Sequence, residues 1–169
     1  MTHGIVTAPQ PEAAEAGAET LKAGGNAIDA AISCALVQTA VDPQMCGIAG
    51  FGSMHLYLPA KDKHVLLDFH GRAPNAVKED MWQDLIEYEA EDGFGFILKD
   101  RVNEMGYQSI TTPMSLKAFA TALERYGTMD LKTLIKPAID YAQHGFMVRP
   151  HVSYFWNVHE STGRIPQID

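Results

Sequence analysis

The sequence predicts an α+β fold that is rich in helices and contains one β-hairpin. Three observations support this prediction. Apolar residues recur at helical spacing in several segments, two short runs of strand-forming residues are separated by a turn, and glycine or proline stands at most of the boundaries. The chain has 169 residues, of which 46% are hydrophobic and 20% charged, so it is long enough to bury a core. We therefore treat residues 1–169 as one domain.

Charge and hydropathy argue against nucleic acids and membranes as partners. Thirteen basic and 21 acidic side chains give a net charge of -8, which opposes nucleic-acid binding because no cluster of Lys and Arg offsets it. The longest apolar run, residues 27–41, is interrupted by polar residues and is shorter than the roughly 20 residues that span a bilayer. No signal peptide is visible, so we expect a cytoplasmic protein without a membrane partner, in which Cys34 and Cys46 stay reduced.

The first two helices are predicted from their ends. A helix that begins at Pro11 is expected to stop at the paired glycines 24–25, one of which can adopt the left-handed conformation. Asn26 can cap the next helix and form a capping box with Asp29. Pro43 then ends the second helix.

A β-hairpin is predicted after a loop of small residues, 45–52. The strands are residues 53–58 and 64–69, and the turn between them contains Pro59. The second strand is apolar on both faces over residues 65–67, so we expect it to be buried between two layers.

Three histidines, His55, His64 and His70, fall on the hairpin. The register between the strands could bring two of them together, but no cysteine or carboxylate motif completes a zinc site. We therefore assign no metal site, and we expect no cofactor.

Residues 78–92 are predicted to form an amphipathic helix. Its apolar face would carry Met81, Trp82, Leu85 and Ile86, and it would continue into an acidic stretch. These carboxylates lack the spacing and the central glycine of a calcium loop, so we interpret them as a solvated face.

The rest of the chain is predicted to be helical. One helix follows Pro113 and stops at Gly127, and an apolar stripe then covers residues 131–142. Pro137 lies within this stripe, so either the helix kinks there or a new helix begins. A last helix is expected over residues 151–159.

Several short motifs occur in one order along the chain. They are GIVTAP at 4–9, GGN at 24–26, DPQ and a glycine-rich loop at 42–52, RYGTM at 125–129 and PAIDYAQHGF at 137–146. Each is weak alone, but together they resemble the large chain of the γ-glutamyltransferase (glutathione hydrolase) family over about residues 4–155. The resemblance implies that residues 1–169 are the N-terminal part of that chain and a single partial domain.

The resemblance also implies a fold and a reaction. The complete protein would be an αββα sandwich of the N-terminal-nucleophile hydrolases, in which self-cleavage exposes a threonine that attacks an amide. That threonine belongs to a C-terminal small chain and has no counterpart here. Thr111-Thr112 is similar only superficially, because Pro113 follows and its surroundings match a loop before a helix. We therefore expect this chain to be incomplete and inactive alone, with sheet edges and apolar faces exposed.

The departure from the family pattern lies at residues 68–74, which read DFHGRAP. The family has Asp-Phe-Arg followed two residues later by Ala-Pro, and its arginine pairs with the α-carboxylate of the substrate. His70 takes the place of that arginine, and Arg72 lies roughly 6 to 7 Å further along an extended strand, on the same face. His70 and Arg72 are therefore the candidate substrate-binding residues. The alternatives are a salt bridge from Arg72 to Asp68 or another carboxylate, and a structural role for His70.

Two functions follow from these patterns. In the first, the chain is part of an amidohydrolase or acyltransferase, whose partners are the small-chain segment with the threonine and a small amide or γ-glutamyl substrate. The loss of Asp-Phe-Arg favours a relative that resembles cephalosporin acylases. The alternative is a non-catalytic truncated or scaffold protein of the same fold. A homo-oligomer is left open in both cases.

Overall fold

The computed structural model describes residues 4–91, 93 and 95–161, with side chains up to Asn157. It confirms a mixture of helix and strand. In chain order the elements are α1 (Pro11–Lys22), α2 (Ala27–Val41), β1 (Ser53–Leu58), β2 (Lys63–Asp68), β3 (Ile86–Glu89), β4 (Phe96–Leu98), α3 (Ser115–Tyr126), α4 (Leu131–Leu134), α5 (Lys136–His144) and α6 (Pro150–Ser161). Within these residues no helix is both long and apolar enough to cross a membrane.

Helix α2 is the centre of the core. Its side chains are apolar almost all round, and Ile32, Leu36 and Val37 are fully buried between α1 on one side and α5 on the other. Close approach of α1 depends on Gly17, where an added Cβ would lie 2.7 Å from Val6 Cγ1 and 3.0 Å from the carbonyl oxygen of Ala30. Small residues on α1 therefore allow a helix that is apolar on almost every side to be enclosed.

The junction between α1 and α2 has the predicted geometry. Gly24 has a φ of 95° and ends α1 in the left-handed region. Asn26 Oδ1 accepts hydrogen bonds from the Ile28 and Asp29 amides at 2.8 and 3.0 Å, and Asp29 Oδ2 accepts the Asn26 amide at 2.8 Å. The capping box is therefore complete.

Strands β1 and β2 form the predicted antiparallel hairpin, with Ser53 opposite Asp68 and Leu58 opposite Lys63. Its inner face packs on the helices, where Leu56 is buried. The expectation that β2 is buried on both faces is wrong for the described residues, because Leu66 is 66% exposed on the outer face. The reason is that, among the described residues, the helices pack on the opposite face of the hairpin, which carries Leu56 and Val65.

The predicted helix over residues 78–92 is also wrong. A short 3-10 turn at Gln83–Leu85 leads into β3, which pairs with β4 in a second antiparallel ribbon. Ile86 and Tyr88 are residue types that favour strands, and the pairing overrides the helical spacing of the apolar residues. The acidic side chains of β3 are exposed, as predicted. Asp92 lies outside the described residues.

The C-terminal helices agree with the sequence. Helix α3 ends at Tyr126 and is followed by Gly127 as its cap. Pro137 lies in the first turn of α5, so a new helix begins there instead of a kink. Helix α6 is fastened to the start of α1 by the ion pair between Arg149 Nη2 and Glu12 Oε1, 2.6 Å apart. This ion pair lowers the pKa of Glu12.

Candidate functional site

Residues 68–74 leave the hairpin at a point where three segments meet. The Phe69 amide donates to the Gly52 carbonyl at 3.0 Å, and the Gly52 amide donates back at 3.3 Å, which extends the hairpin by one pair. Further along, the Thr112 amide donates to the Arg72 carbonyl at 3.0 Å in an isolated antiparallel bridge. The glycine-rich loop and the segment before α3 therefore hold residues 68–74 from two sides.

Side-chain packing fixes the backbone between the hydrogen bonds of Phe69 and that of Arg72. Phe69 is buried, and its ring meets that of Phe119 edge-on at a centroid distance of 6.2 Å. A Cβ on Gly71 would overlap the Thr111 side chain and lie 3.5 Å from Phe51 Cδ1. Only glycine fits this close approach. A buried phenylalanine and a confined glycine thus position the exposed residues on either side of Gly71.

His70 is held by Asp68. Its Nδ1 lies 2.8 Å from Asp68 Oδ1, and the same oxygen accepts the His70 amide at 3.1 Å. The hydrogen bond from the His70 side chain, followed by that from its amide, lowers the pKa of Asp68. The Phe51 ring lies 5.8 Å from the imidazole. Because Nδ1 faces the carboxylate, Nε2 is the ring nitrogen that can meet a ligand.

Arg72 is exposed, and in the described part of the chain its guanidinium forms no ion pair. The salt bridge to Asp68 that the sequence left open is therefore not formed, and Asp68 binds His70 instead. Arg72 makes only a minor contribution to the lowered pKa of Asp68. A guanidinium without a carboxylate partner suits an anionic ligand.

Sequence reasoning missed two parts of this arrangement. The two-residue spacing of Asp68 and His70 was a usable signal, because Asp side chains often bind the backbone two residues on. The contacts of residues 71–72 with Thr111 and Thr112 had no local signal, because forty residues separate the segments.

The other predicted histidines form a separate cluster. His55 Nε2 lies 3.1 Å from His64 Nδ1, and the Tyr57 ring stacks on His64 at 4.7 Å. Among the described residues, no group of three or more His, Cys, Asp or Glu is placed to hold a metal ion.

Both cysteines are free thiols with raised pKa values. Burial raises the pKa of Cys34. Burial and the nearby Asp42 carboxylate raise that of Cys46 to about 11. Both side chains are therefore protonated at neutral pH and are poor nucleophiles.

The chain matches a known protein family. Residues 13–166 match the family model described as gamma-glutamyltranspeptidase. The chain is 39% identical to the acylase ACY 1 proenzyme of Pseudomonas sp. (strain V22), over 90% of this chain and 26% of that protein. It is 35% identical to the glutathione hydrolase proenzyme of Bacillus subtilis (strain 168), over 86% of this chain and 23% of that protein. The chain thus spans about a quarter of the length of these relatives.

Solved structures with the same fold include gamma-glutamyltranspeptidases and an acylase. The enzyme of Pseudomonas nitroreducens complexed with L-DON has a TM-score of 0.81 at 30% identity, over 96% of this chain and 45% of that one. The cephalosporin acylase of Bacillus halodurans has a TM-score of 0.77 at 31% identity, over 95% of this chain and 27% of that one.

Proposed function

Because the chain belongs to the gamma-glutamyltranspeptidase family, we propose that it forms the N-terminal part of the large chain of an amide-cleaving enzyme. One observation carries this proposal: the family match covers nearly the whole chain, yet the chain spans only about a quarter of its curated relatives. The relatives are described as proenzymes. The nucleophilic threonine and the small chain that carries it would then lie in polypeptide outside residues 1–169.

The fold of the complete protein would be an αββα sandwich. In this chain α2 and its neighbours supply one helical layer, and the inner face of the β1–β2 hairpin packs on it. The outer face carries Leu66 and Tyr57, which are 66% and 54% exposed. Apolar side chains at this exposure support the proposal that a second sheet covers them.

Residues His70 and Arg72 would bind the acyl part of the substrate. The guanidinium can form paired hydrogen bonds with a carboxylate, and the Asp68 carboxylate fixes the orientation of the imidazole. The threonine hydroxyl would attack the amide carbonyl while its α-amine takes the proton. The C–N bond would then break, the departing amine would receive that proton, and water or an acceptor amine would release the acyl group from the threonine ester. The role of this chain is then to bind and orient the acyl group.

The acyl group is proposed to differ from γ-glutamyl. His70 stands where the family has a fixed cation, and the relatives include an acylase proenzyme as well as glutathione hydrolases. A histidine presents a single nitrogen to the ligand where arginine presents a fork, so it suits a different polar group.

The proposal is tested by comparing the complete polypeptide with the 169-residue chain. We expect the matured complete protein to cleave acyl-p-nitroanilides, and the isolated chain to release no p-nitroaniline. Turnover by a highly purified sample of residues 1–169 would contradict the division of roles. A complete gene product without a threonine nucleophile would favour a non-catalytic protein.

A further inference from the structure

A groove of about 620 Å³ lies beside the β3–β4 ribbon, and its lining does not include His70 or Arg72. Its apolar lining includes Trp82, Ile86 and Phe96. Its volume falls in the range of ordinary ligand pockets. This surface has no role in the function proposed above.

The pairing of the ribbon explains why the groove is apolar. A bulge between Ile86 and Tyr88 places Ile86 opposite Leu98, and Phe96 is two residues from Leu98 on the same face. Leu98 is buried, whereas Phe96 and Ile86 are about half exposed. Tyr88 pairs with Ile97 instead, on the opposite face. One face of the ribbon is thus apolar over Ile86, Phe96 and Leu98 and only partly covered, with the exposed Glu89 opposite Phe96 at its edge.

Asn103 adds a specific polar feature to the groove. Its Nδ2 donates to the Phe96 carbonyl at 3.0 Å, which fixes the amide at the groove wall. Its Oδ1 is buried and has no hydrogen-bond partner among the described residues. The chain's own atoms cover this oxygen, so neither solvent nor an occupant of the groove reaches it. Asn103 therefore fixes the groove wall through Phe96 and offers no binding contact of its own.

Two facts identify the kind of occupant. About three-quarters of the length of the curated relatives lies outside the part this chain matches. The ribbon is a two-stranded sheet, so within the described residues its outer edges lack strand partners. A polypeptide segment supplies both apolar side chains and backbone N–H donors, and it can also add to a sheet edge.

We propose that a segment of this protein's remaining polypeptide docks in the groove and packs apolar side chains on Trp82 and Phe96. This inference rests on the proposed function, because it requires the polypeptide that brings the threonine. It goes further by naming the surface where that polypeptide is held.

Hydroxyl-radical footprinting of the complete, matured protein tests the docking residue by residue. The oxidation rate of each side chain is compared with its rate in the unfolded protein. We expect Phe96 to be protected roughly tenfold or more, since a docked segment removes it from water. Tyr88 is the matched control, because it lies on the other face of the same ribbon and is similarly exposed. Its protection should stay within about threefold.

The outcomes separate the two proposals. An enzyme that cleaves amides but leaves Phe96 as reactive as Tyr88 overturns the docking and leaves the function intact. A complete protein that lacks further polypeptide overturns both. Protection of Phe96 that appears only with an added amide substrate, or only at high protein concentration, assigns the groove to a small molecule or to a second copy and also overturns the docking.

A substitution provides a second measurement. Phe96→Ala removes an apolar contact of the groove, so the matured enzyme should release its downstream chain roughly tenfold more readily on dilution, as measured by native mass spectrometry. Tyr88→Ala is the control, because Tyr88 lies on the other face of the ribbon at a similar exposure. Equal release from the two variants contradicts the docking. If Phe96→Ala does not fold, the footprint of the unaltered protein still decides.

Discussion

The Asp68 carboxylate binds both the imidazole and the backbone amide of His70, at 2.8 and 3.1 Å from a single oxygen. This double contact fixes the orientation of the imidazole ring. Position 70 is the one where the family motif Asp-Phe-Arg, described above, has its arginine. Among the described residues, Asp68 forms its ion pair with His70 and not with Arg72. One local turn thus orients the histidine, while the guanidinium of Arg72 stays exposed and without an ion pair among the described residues.

Arg72→Ala should reduce kcat/KM of the complete enzyme for an acidic acyl substrate by roughly ten- to a hundredfold, the size expected for lost hydrogen bonds to a charged group. A neutral acyl substrate should change by less than about threefold, since it has no carboxylate to pair. Arg125→Ala is the matched control, because Arg125 is exposed on α3. Equal losses for both substrates would remove Arg72 from the site.

His70→Arg should raise the use of γ-glutamyl-p-nitroanilide relative to a neutral acyl-p-nitroanilide by about tenfold, because it supplies a fixed cation with a fork of donors. His64→Arg, on the outer face of the hairpin, is the control for added charge. The ratio of the two kcat/KM values is the measurement. An unchanged ratio in His70→Arg, or the same rise in both variants, would show that position 70 does not contact the acyl group.

Gly71→Ala should destabilise the protein by about 1–3 kcal/mol, the usual cost of overpacking, because the new methyl group overlaps the Thr111 side chain. Displacement of residues 71–72 should also weaken acyl binding. Gly47→Ala is the control, since a Cβ there has no neighbour closer than 3.9 Å. Thermal unfolding of the two variants checks the first effect and KM the second. A fully stable Gly71→Ala protein would contradict the close approach.

The sequence predicted the elements whose signals are local. The end of α1 was predicted from Gly24, the start of α2 from Asn26, and the hairpin from its turn. The error at residues 78–92 arose because apolar spacing there fits a helix, whereas the pairing of Ile86 with Leu98 decides the structure. Such pairing depends on residues distant in the chain, which a local pattern does not contain.

The residues of the candidate site were predicted from the sequence, but their contacts with distant segments were not. His70 and Arg72 were identified from a motif, and the structure places both on an exposed segment. The role of Thr112 could not be predicted, because its bridge to Arg72 joins residues 40 positions apart. The exposure of Leu66 shows a further limit, since the periodicity of a strand indicates that a face is apolar without indicating which polypeptide covers it.

Asp29 should make stability depend on acid pH. Burial alone would raise its pKa, but hydrogen bonds from the Thr128 hydroxyl and from the Asn26, Thr128 and Met129 amides prevail and lower it. The stabilisation is therefore complete above the unfolded pKa, near 4, and is lost as the pH falls through the folded value. The unfolding temperature of the complete protein, measured from pH 6 to pH 3, should fall most steeply at the acid end.

The same carboxylate can be tested by substitution. Asp29→Ala should cost about 2–4 kcal/mol at neutral pH, because it leaves buried amides without an acceptor. Asp140→Ala is the control, since Asp140 is exposed and its carboxylate contacts the side chain of His144 alone within the part of the chain that the structure describes. If Asp29→Ala unfolds at the same temperature as the control, the contacts of Asp29 do not stabilise the junction of α2 with residues 127–129.

Cys46 should resist alkylation at neutral pH. With a pKa of about 11, roughly one thiol in a thousand is ionised at pH 8, compared with about a quarter for an ordinary cysteine. Iodoacetamide labelling followed by mass spectrometry should therefore be at least about a hundredfold slower in the folded protein than in urea. Because ionisation increases tenfold per pH unit in this range, the folded rate should rise tenfold between pH 8 and pH 9. Rapid labelling at pH 7 would contradict the burial of this thiol beside Asp42.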